Sequence, residues 1–127
     1  MLIVNYNLLL EDSFVFGLTN NILRSHNPNK KIVKGINGFS VVENNNIISI
    51  NNDKLVLKIL NSIQLYKMTK EDPFAIFKMK EQGYLNDNNY DSNLYNTICI
   101  SILSNENKIL KQQLDLTNQQ NKKRRLA

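Results

Sequence analysis

The chain is poor in the residue types on which most enzymes and metal proteins depend. Its 127 residues include one cysteine, one histidine, two prolines, four glycines and no tryptophan. A single cysteine, Cys99, excludes an internal disulfide framework and any multi-cysteine metal site, and it suits a reducing, intracellular compartment. His26 stands in a polar turn beside Asn27 and Pro28, with no neighbour that would make it half of a nucleophile–base pair. The four glycines are never spaced as a phosphate loop, and the acidic residues form no pattern suited to metal or glycosidase chemistry. No catalytic residue, cofactor or metal ligand is therefore expected. Cys99, set among isoleucines, reads as a small core hydrophobe.

Long apolar runs are missing too. None approaches the roughly 20 residues that span a bilayer, and the start, MLIVNYNLLLED, lacks the basic and small-residue regions of a signal peptide. No membrane association is expected. The formal net charge of +5 is unevenly spread, because Lys122, Lys123, Arg124 and Arg125 carry four positives near the end. That cluster reads as a nuclear import signal, a contact to DNA phosphates, or a solvated end.

Asparagine is what the chain has in excess, with 22 residues, many clustered as NNN, NND and NDNN between apolar runs. Such clusters suit turns, since asparagine tolerates left-handed backbone and hydrogen-bonds its own main chain. Between them, apolar residues alternate. Leu2–Leu10 and Phe14–Leu18 read as strands of a hairpin joined by Glu11, Asp12 and Ser13. Gly17 inside the second run signals a bulge or the close approach of another backbone. Thr19–His26 reads as a short helix or a third strand. FSVVE, IISI and KLVLKIL, separated by Asn44–Asn46 and Asn51–Asp53, read as three further strands. Asp72-Pro73 predicts a helix entry and Gly83 its end, with Phe74 and Phe77 on the inward face. Tyr84–Asn93 reads as a mobile loop.

The most informative stretch is Asn93–Leu116. With Leu103 and Leu110 at position d of a heptad, position a falls on Ile100, Asn107 and Leu114. That is the seam of a short parallel coiled coil, with one asparagine at a to fix register and strand number. Ile102, Ile109 and Leu116 recur at seven on an adjacent face, available to dock the head or widen the interface. Two alternatives stay open. The helix can pack back on its own head, or Thr97–Leu103 can be a final strand that leaves the helix to begin at Ser104.

The expected fold is thus α+β and mainly β: a small antiparallel sandwich or barrel head, a short helix, and a C-terminal coiled-coil helix. The boundaries are a head with its closing helix over 1–85, an Asn-rich loop over 86–93, a stalk over 94–118 and a disordered basic tail over 119–127.

This order of elements resembles the head-and-stalk scaffolds of non-homologous end joining and the related centriolar assembly scaffold. The resemblance is carried by Ser13–Arg24 (SFVFGLTNNILR), by the hairpin-like run Phe39–Met68, by Leu57–Phe77 (LKILNSIQLYKMTKEDPFAIF) and by Asn96–Leu114. It implies a seven-stranded head on a dimerising coiled coil, and it brings no site residues with it. The function expected is a non-enzymatic, dimeric nuclear scaffold, with DNA end joining as the process the resemblance implies. Its partners would be a second copy through the C-terminal helix, other proteins of a nuclear complex, and the DNA backbone through the tail. If it is not nuclear, it is cytoplasmic. The alternative is a small viral or nuclear nucleic-acid-binding accessory protein, with Lys30, Lys31, Lys34 and the tail as its footprint.

Overall fold

The computed structural model describes the backbone of residues 5–126 and the side chains of residues 5–113. Helices dominate it. In chain order the elements are α1 (Tyr6–Leu10), α2 (Ser13–His26), β1 (Lys30–Gly35), β2 (Gly38–Glu43), β3 (Asn46–Ser49), a 3-10 turn (Ile50–Asn52), α3 (Lys54–Glu71), α4 (Ala75–Glu81) and α5 (Ser92–Leu126). The fold is α+β as expected, but it is not mainly β. The described residues form a single three-stranded antiparallel sheet, in the order β1-β2-β3.

The first correction concerns Leu2–Leu10 and Phe14–Leu18, read as the strands of a hairpin. The described residues there form two helices, the second running on through Thr19–His26, where a helix is one of two readings. The polar trio Glu11, Asp12 and Ser13 caps a helix instead of turning a hairpin. The Asp12 carboxylate accepts hydrogen bonds from the backbone N–H groups of Phe14 (2.9 Å) and Val15 (3.3 Å), satisfying donors that a helix start leaves orphaned. Downstream, the buried residues Val15, Thr19, Ile22 and Leu23 fall at helical spacing. A window stopping at Leu18 sees only the alternation.

Of the two expected asparagine hairpin turns, the one at Asn44–Asn46 is found. Asn44 and Asn45 join β2 to β3 with φ of 50° and 73°, the two positive angles of a type I′ hairpin turn. At the other hairpin, Gly38 has φ +117°, and a Cβ there would lie 2.9 Å from Asn7 Oδ1. That close approach lets Asn7 accept a hydrogen bond from Phe39 N–H at 3.1 Å, tying α1 to the sheet. Asn20 does the same for the outer edge of β1. Its Oδ1 accepts from Ile32 N–H at 2.8 Å and its Nδ2 donates to Ile32 C=O at 3.5 Å. The amide thereby stands in for a neighbouring strand on an edge that would otherwise be open.

The second correction is larger. KLVLKIL is not a strand; it opens α3, the central helix. Asn51–Asp53, read as a hairpin turn, supplies the 3-10 turn and the N-cap, where Asp53 accepts from Val56 N–H at 3.0 Å. Asp53 is itself buried and ion-paired to Lys30 Nζ at 2.8 Å, and that ammonium also reaches Glu43 at 3.4 Å. The bond to Asp53, more than any other influence, raises the Lys30 pKa. Val56, Ile59, Leu60, Ile63 and Leu65 are nearly inaccessible, and Asn61, Ser62 and Tyr66 are buried beside them. With α2, α4, α5 and the 3-10 turn all in contact with it, α3 has no broad solvent face to give its sequence a clear helical stripe.

The helix after Asp72-Pro73 exists but begins later, at Ala75. Asp72 accepts from Phe74 N–H at 3.1 Å and binds Lys78 Nζ at 2.9 Å. Phe74 and Phe77 are exposed, by 67% and 65%, instead of facing inward; Ala75 is the buried residue. Gly83 ends the helix as expected, with φ +79°. Tyr84 N–H donates to Met79 C=O (2.9 Å) and Gly83 N–H to Lys80 C=O (3.1 Å), the paired bonds of a Schellman end.

The loop that follows is stitched, not free. Asn89 Oδ1 accepts from Asn86 N–H (2.8 Å) and its Nδ2 donates to Tyr84 C=O (3.0 Å), while Leu85 is buried. Asn61, inside α3, joins this loop to α1. Its Nδ2 donates to Asn89 C=O (3.0 Å) and its Oδ1 accepts from Tyr6 O–H (2.9 Å). Replacing Asn61 with alanine strips partners from two groups at once and should cost about 2 kcal/mol in urea unfolding. Combining it with Tyr6→Phe should add less than the two single losses summed, because they share a bond. Strict additivity would mean that the Tyr6–Asn61 bond contributes nothing.

Candidate interaction surface

Residues with a chemical bent are scattered. His26 is exposed, Cys99 is half-buried against the core, and no cluster of three or more potential metal ligands occurs among the described residues. No described helix is long and apolar enough to cross a membrane. A polar hollow of about 460 Å³ lies between α3, α4 and the start of α5, where Lys80 sits over the Tyr90 ring at 4.9 Å. Of the three head lysines in the nucleic-acid reading, Lys30 is held by Asp53 and Glu43, and Lys34 lies over the Phe39 ring at 5.9 Å. Lys31 is exposed.

The feature with the clearest organisation is α5. Asp91 starts it, accepting from the N–H groups of Asn93 (2.9 Å) and Leu94 (3.1 Å), a carboxylate at the positive end of the helix dipole. Thr97–Leu103 is helical, so the strand alternative falls. Two of its three β-branched isoleucines, Ile98 and Ile102, are carried by packing against the head, which overrides their weak helix propensity. Thirty-five residues at 1.5 Å each give a rod of about 52 Å.

Two faces of this rod differ. One packs on the head: Ile98 is fully buried and Ile102 is 8% exposed, with Leu94, Tyr95 and Cys99 half-buried around them. The rod does pack back on its own head, and Ile102 is one of the residues that dock it. A polar clasp closes the contact. Tyr66 O–H donates to Glu106 Oε2 (3.1 Å), Lys70 Nζ binds Glu106 Oε1 (2.9 Å), and the Thr69 and Tyr95 hydroxyls lie 3.4 Å apart. The Lys70 ammonium, and then the Tyr66 hydroxyl, hold the Glu106 carboxyl below its usual range against the pull of burial. The Lys70 pKa is raised in turn, chiefly by its bond to Glu106. Burial pushes the Tyr66 phenol up, and Glu106 adds to it.

The other face carries the heptad. At 100° per residue, the stripe through Ile100, Leu103, Asn107 and Leu110 lies about 140° round the helix from Ile98 and Ile102. It is open: Ile100 is 65% exposed, Leu103 47% and Leu110 60%, and Asn107 is exposed between them. Residues 107–113 are all exposed, Ile109 at 46% included, and the helix continues about 30 Å past Glu106. The described part of the expected seam, Ile100, Leu103, Asn107 and Leu110, therefore lies on one face of the helix. The side chains of Leu114, Leu116 and the basic cluster Lys122–Arg125 lie outside the described residues. The backbone over 119–126 is helical, where the sequence suggests a disordered tail.

Residues the heptad reading passed over are those that make the other face. Ile98 and Ile102 are four apart and Tyr95 is three before Ile98, a helical stripe that the strand-like alternation of Ile98, Ile100 and Ile102 obscures. Beside α5, a groove of about 660 Å³ runs along α2, lined by Phe14, Gly17 and Leu18 opposite Ile100, Ser101 and Ser104. Of these residues the sequence singles out Gly17, as a bulge or close approach, and Ile100, as the first a position of the heptad.

The clasp makes a pH-dependent contribution whose sign follows from these shifts. A carboxylate whose pKa is lowered by folding adds stability above the ordinary glutamate value, about 4.3, and loses it as pH falls through the lowered one. Lysine, raised, keeps its contribution below its ordinary value and loses it only as pH climbs through the raised one. Glu106→Gln should therefore lower the urea midpoint at neutral pH, with the gap from wild type closing in acid, below the ordinary glutamate value. A gap of equal size at neutral and acid pH would refute the clasp.

No family model matches the chain, and the comparisons with characterised proteins and with solved structures found no match either.

Proposed function

We propose that the chain is a non-enzymatic scaffold that self-associates through α5. One observation carries this reading: the apolar heptad of α5 faces away from the head that the same helix packs against. A helix serving only to complete its own fold needs the stripe of Tyr95, Ile98 and Ile102 and nothing opposite it. Here a second stripe, with Ile100 and Asn107 at a and Leu103 and Leu110 at d, lies open along a rod that outruns the head. Pairing it with an identical helix removes Ile100, Leu103 and Leu110 from water and gives Asn107 a like residue to hydrogen-bond across the seam.

The proposal rests on α5 and not on the resemblance to end-joining scaffolds, which implies seven strands where the described residues hold three. The nucleic-acid reading is the weaker one, because Lys30 is already neutralised by two carboxylates. A basic run at the end of a paired rod would place two copies of Lys122–Arg125 near each other, consistent with a nuclear scaffold that also touches DNA phosphates.

Sedimentation equilibrium of the full chain should give twice the 14.7 kDa protomer mass at tens of micromolar protein. Leu103→Glu with Leu110→Glu should yield a folded monomer with unchanged helix content near the head. Asn107→Ile should raise the thermal midpoint and admit species larger than the dimer. A wild-type chain that stays monomeric at that concentration sinks the proposal.

A further inference from the structure

The described seam is short. Three apolar side chains, each between 47% and 65% exposed, cover well under half of the ~800 Å² that a stable interface buries on each partner. A fourth, Leu114, does not close that difference. If α5 pairs with a second copy, the head must supply the rest.

The groove between α2 and α5 is where the head can do so. Both helices rest on α3 and stay apart above it. Phe14, 37% exposed, and Leu18 form the α2 wall, while Ser101 and Ser104 leave the α5 wall low. Ile100 belongs to the groove and also opens the seam, so the two surfaces are continuous. Between the walls sits Gly17, inside α2, where glycine costs a helix about 1 kcal/mol relative to alanine. No other element among the described residues explains it: beyond its own helix backbone, a Cβ at Gly17 would meet no described atom within 4 Å. A glycine facing empty space in a helix is accounted for if another backbone passes close by.

We infer that the groove is the second half of the self-association surface, and that α5 of a second copy leans from the seam towards α2 and crosses Gly17. This rests on the dimer proposed above and adds the head to it. The occupant is a second copy because the surface continues a seam whose asparagine at a is matched by its own kind. A two-fold axis then uses each groove once, burying Phe14 and Leu18 on both sides.

The test is sedimentation equilibrium of the full chain as wild type, Gly17→Gln, Ser104→Gln, and the double variant Leu103→Glu with Leu110→Glu. Thermal midpoints are taken at dilutions where each is monomeric. Gly17→Gln should weaken self-association at least about tenfold. Its monomer midpoint should equal or exceed that of wild type, because the new side chain enters open space and favours the helix. Ser104→Gln, on the opposite wall, should weaken association in the same direction. If Gly17→Gln and Ser104→Gln associate as wild type does while the double variant is monomeric, the groove is unused and the seam alone stands. A lowered monomer midpoint for Gly17→Gln would give the glycine a role within the fold and overturn the inference. A monomeric wild type overturns both readings.

Discussion

Everything in this fold is arranged around the enclosure of α3. An 18-residue helix with Val56, Ile59, Leu60, Ile63 and Leu65 on several of its faces is stable only where other elements cover it. α2, α4, α5 and the 3-10 turn each cover one part. The sheet is held indirectly, through β1 against α2 and through Lys30 reaching the N-cap of α3. That ion pair explains why a charge so well buried is tolerated: Asp53 is fixed by the Val56 N–H it caps, and Lys30 is fixed by Glu43 across the hairpin, so neither is left uncompensated.

Enclosure also explains the asparagines. Packing elements around a central helix leaves polar ends and edges facing inward, and a short amide can both donate and accept in the same small space. Asn61 joins three segments, Asn20 closes the edge of β1, Asn7 fastens the hairpin, and Asn86 with Asn89 stitches the loop before α5. Turn formation, the role their clustering suggests, is filled at Asn44 and Asn45. The isolated asparagines do the tertiary work. Their bonding partners lie up to 55 residues away, which no local pattern encodes.

The same enclosure decides what could be read in advance. Hairpin strands β2 and β3, the Asn27–Asn29 turn, the Gly83 helix end, the start of α5 near Ser92 and the heptad stripe all depend on local chemistry, and the sequence shows them. What it misrepresents is α3, because a helix covered on several sides lacks the polar face that distinguishes 3.6-residue periodicity from alternation. With KLVLKIL helical, the head holds three described strands and is not mainly β. For α2, the cap at Asp12 was visible as a polar connection, and only the spacing of Thr19, Ile22 and Leu23 distinguishes cap from turn. Phe74 and Phe77, three apart, suggest an inward face by spacing, but the helix begins only at Ala75, and Ala75 is the residue that α4 buries.

The division of labour on α5 is the point at which fold leads to function. A long helix has room for two stripes, and their separation of about 140° keeps them from competing. The first, through Ile98 and Ile102, is locked by the Glu106 clasp, so the rotation of α5 about its own axis is set before any partner arrives. That preset rotation determines which side chains the rod shows to solvent. It turns Ile100 towards the α2 groove and Leu103 and Leu110 outward, with Asn107 between them. A free amphipathic helix would have to choose its register and its face on association and would lose that freedom as affinity; a helix clamped to a head has already lost it in folding. In the proposed dimer the clasp and the heptad would therefore act as one device, the head fixing the orientation of the rod and the exposed stripe meeting the second copy.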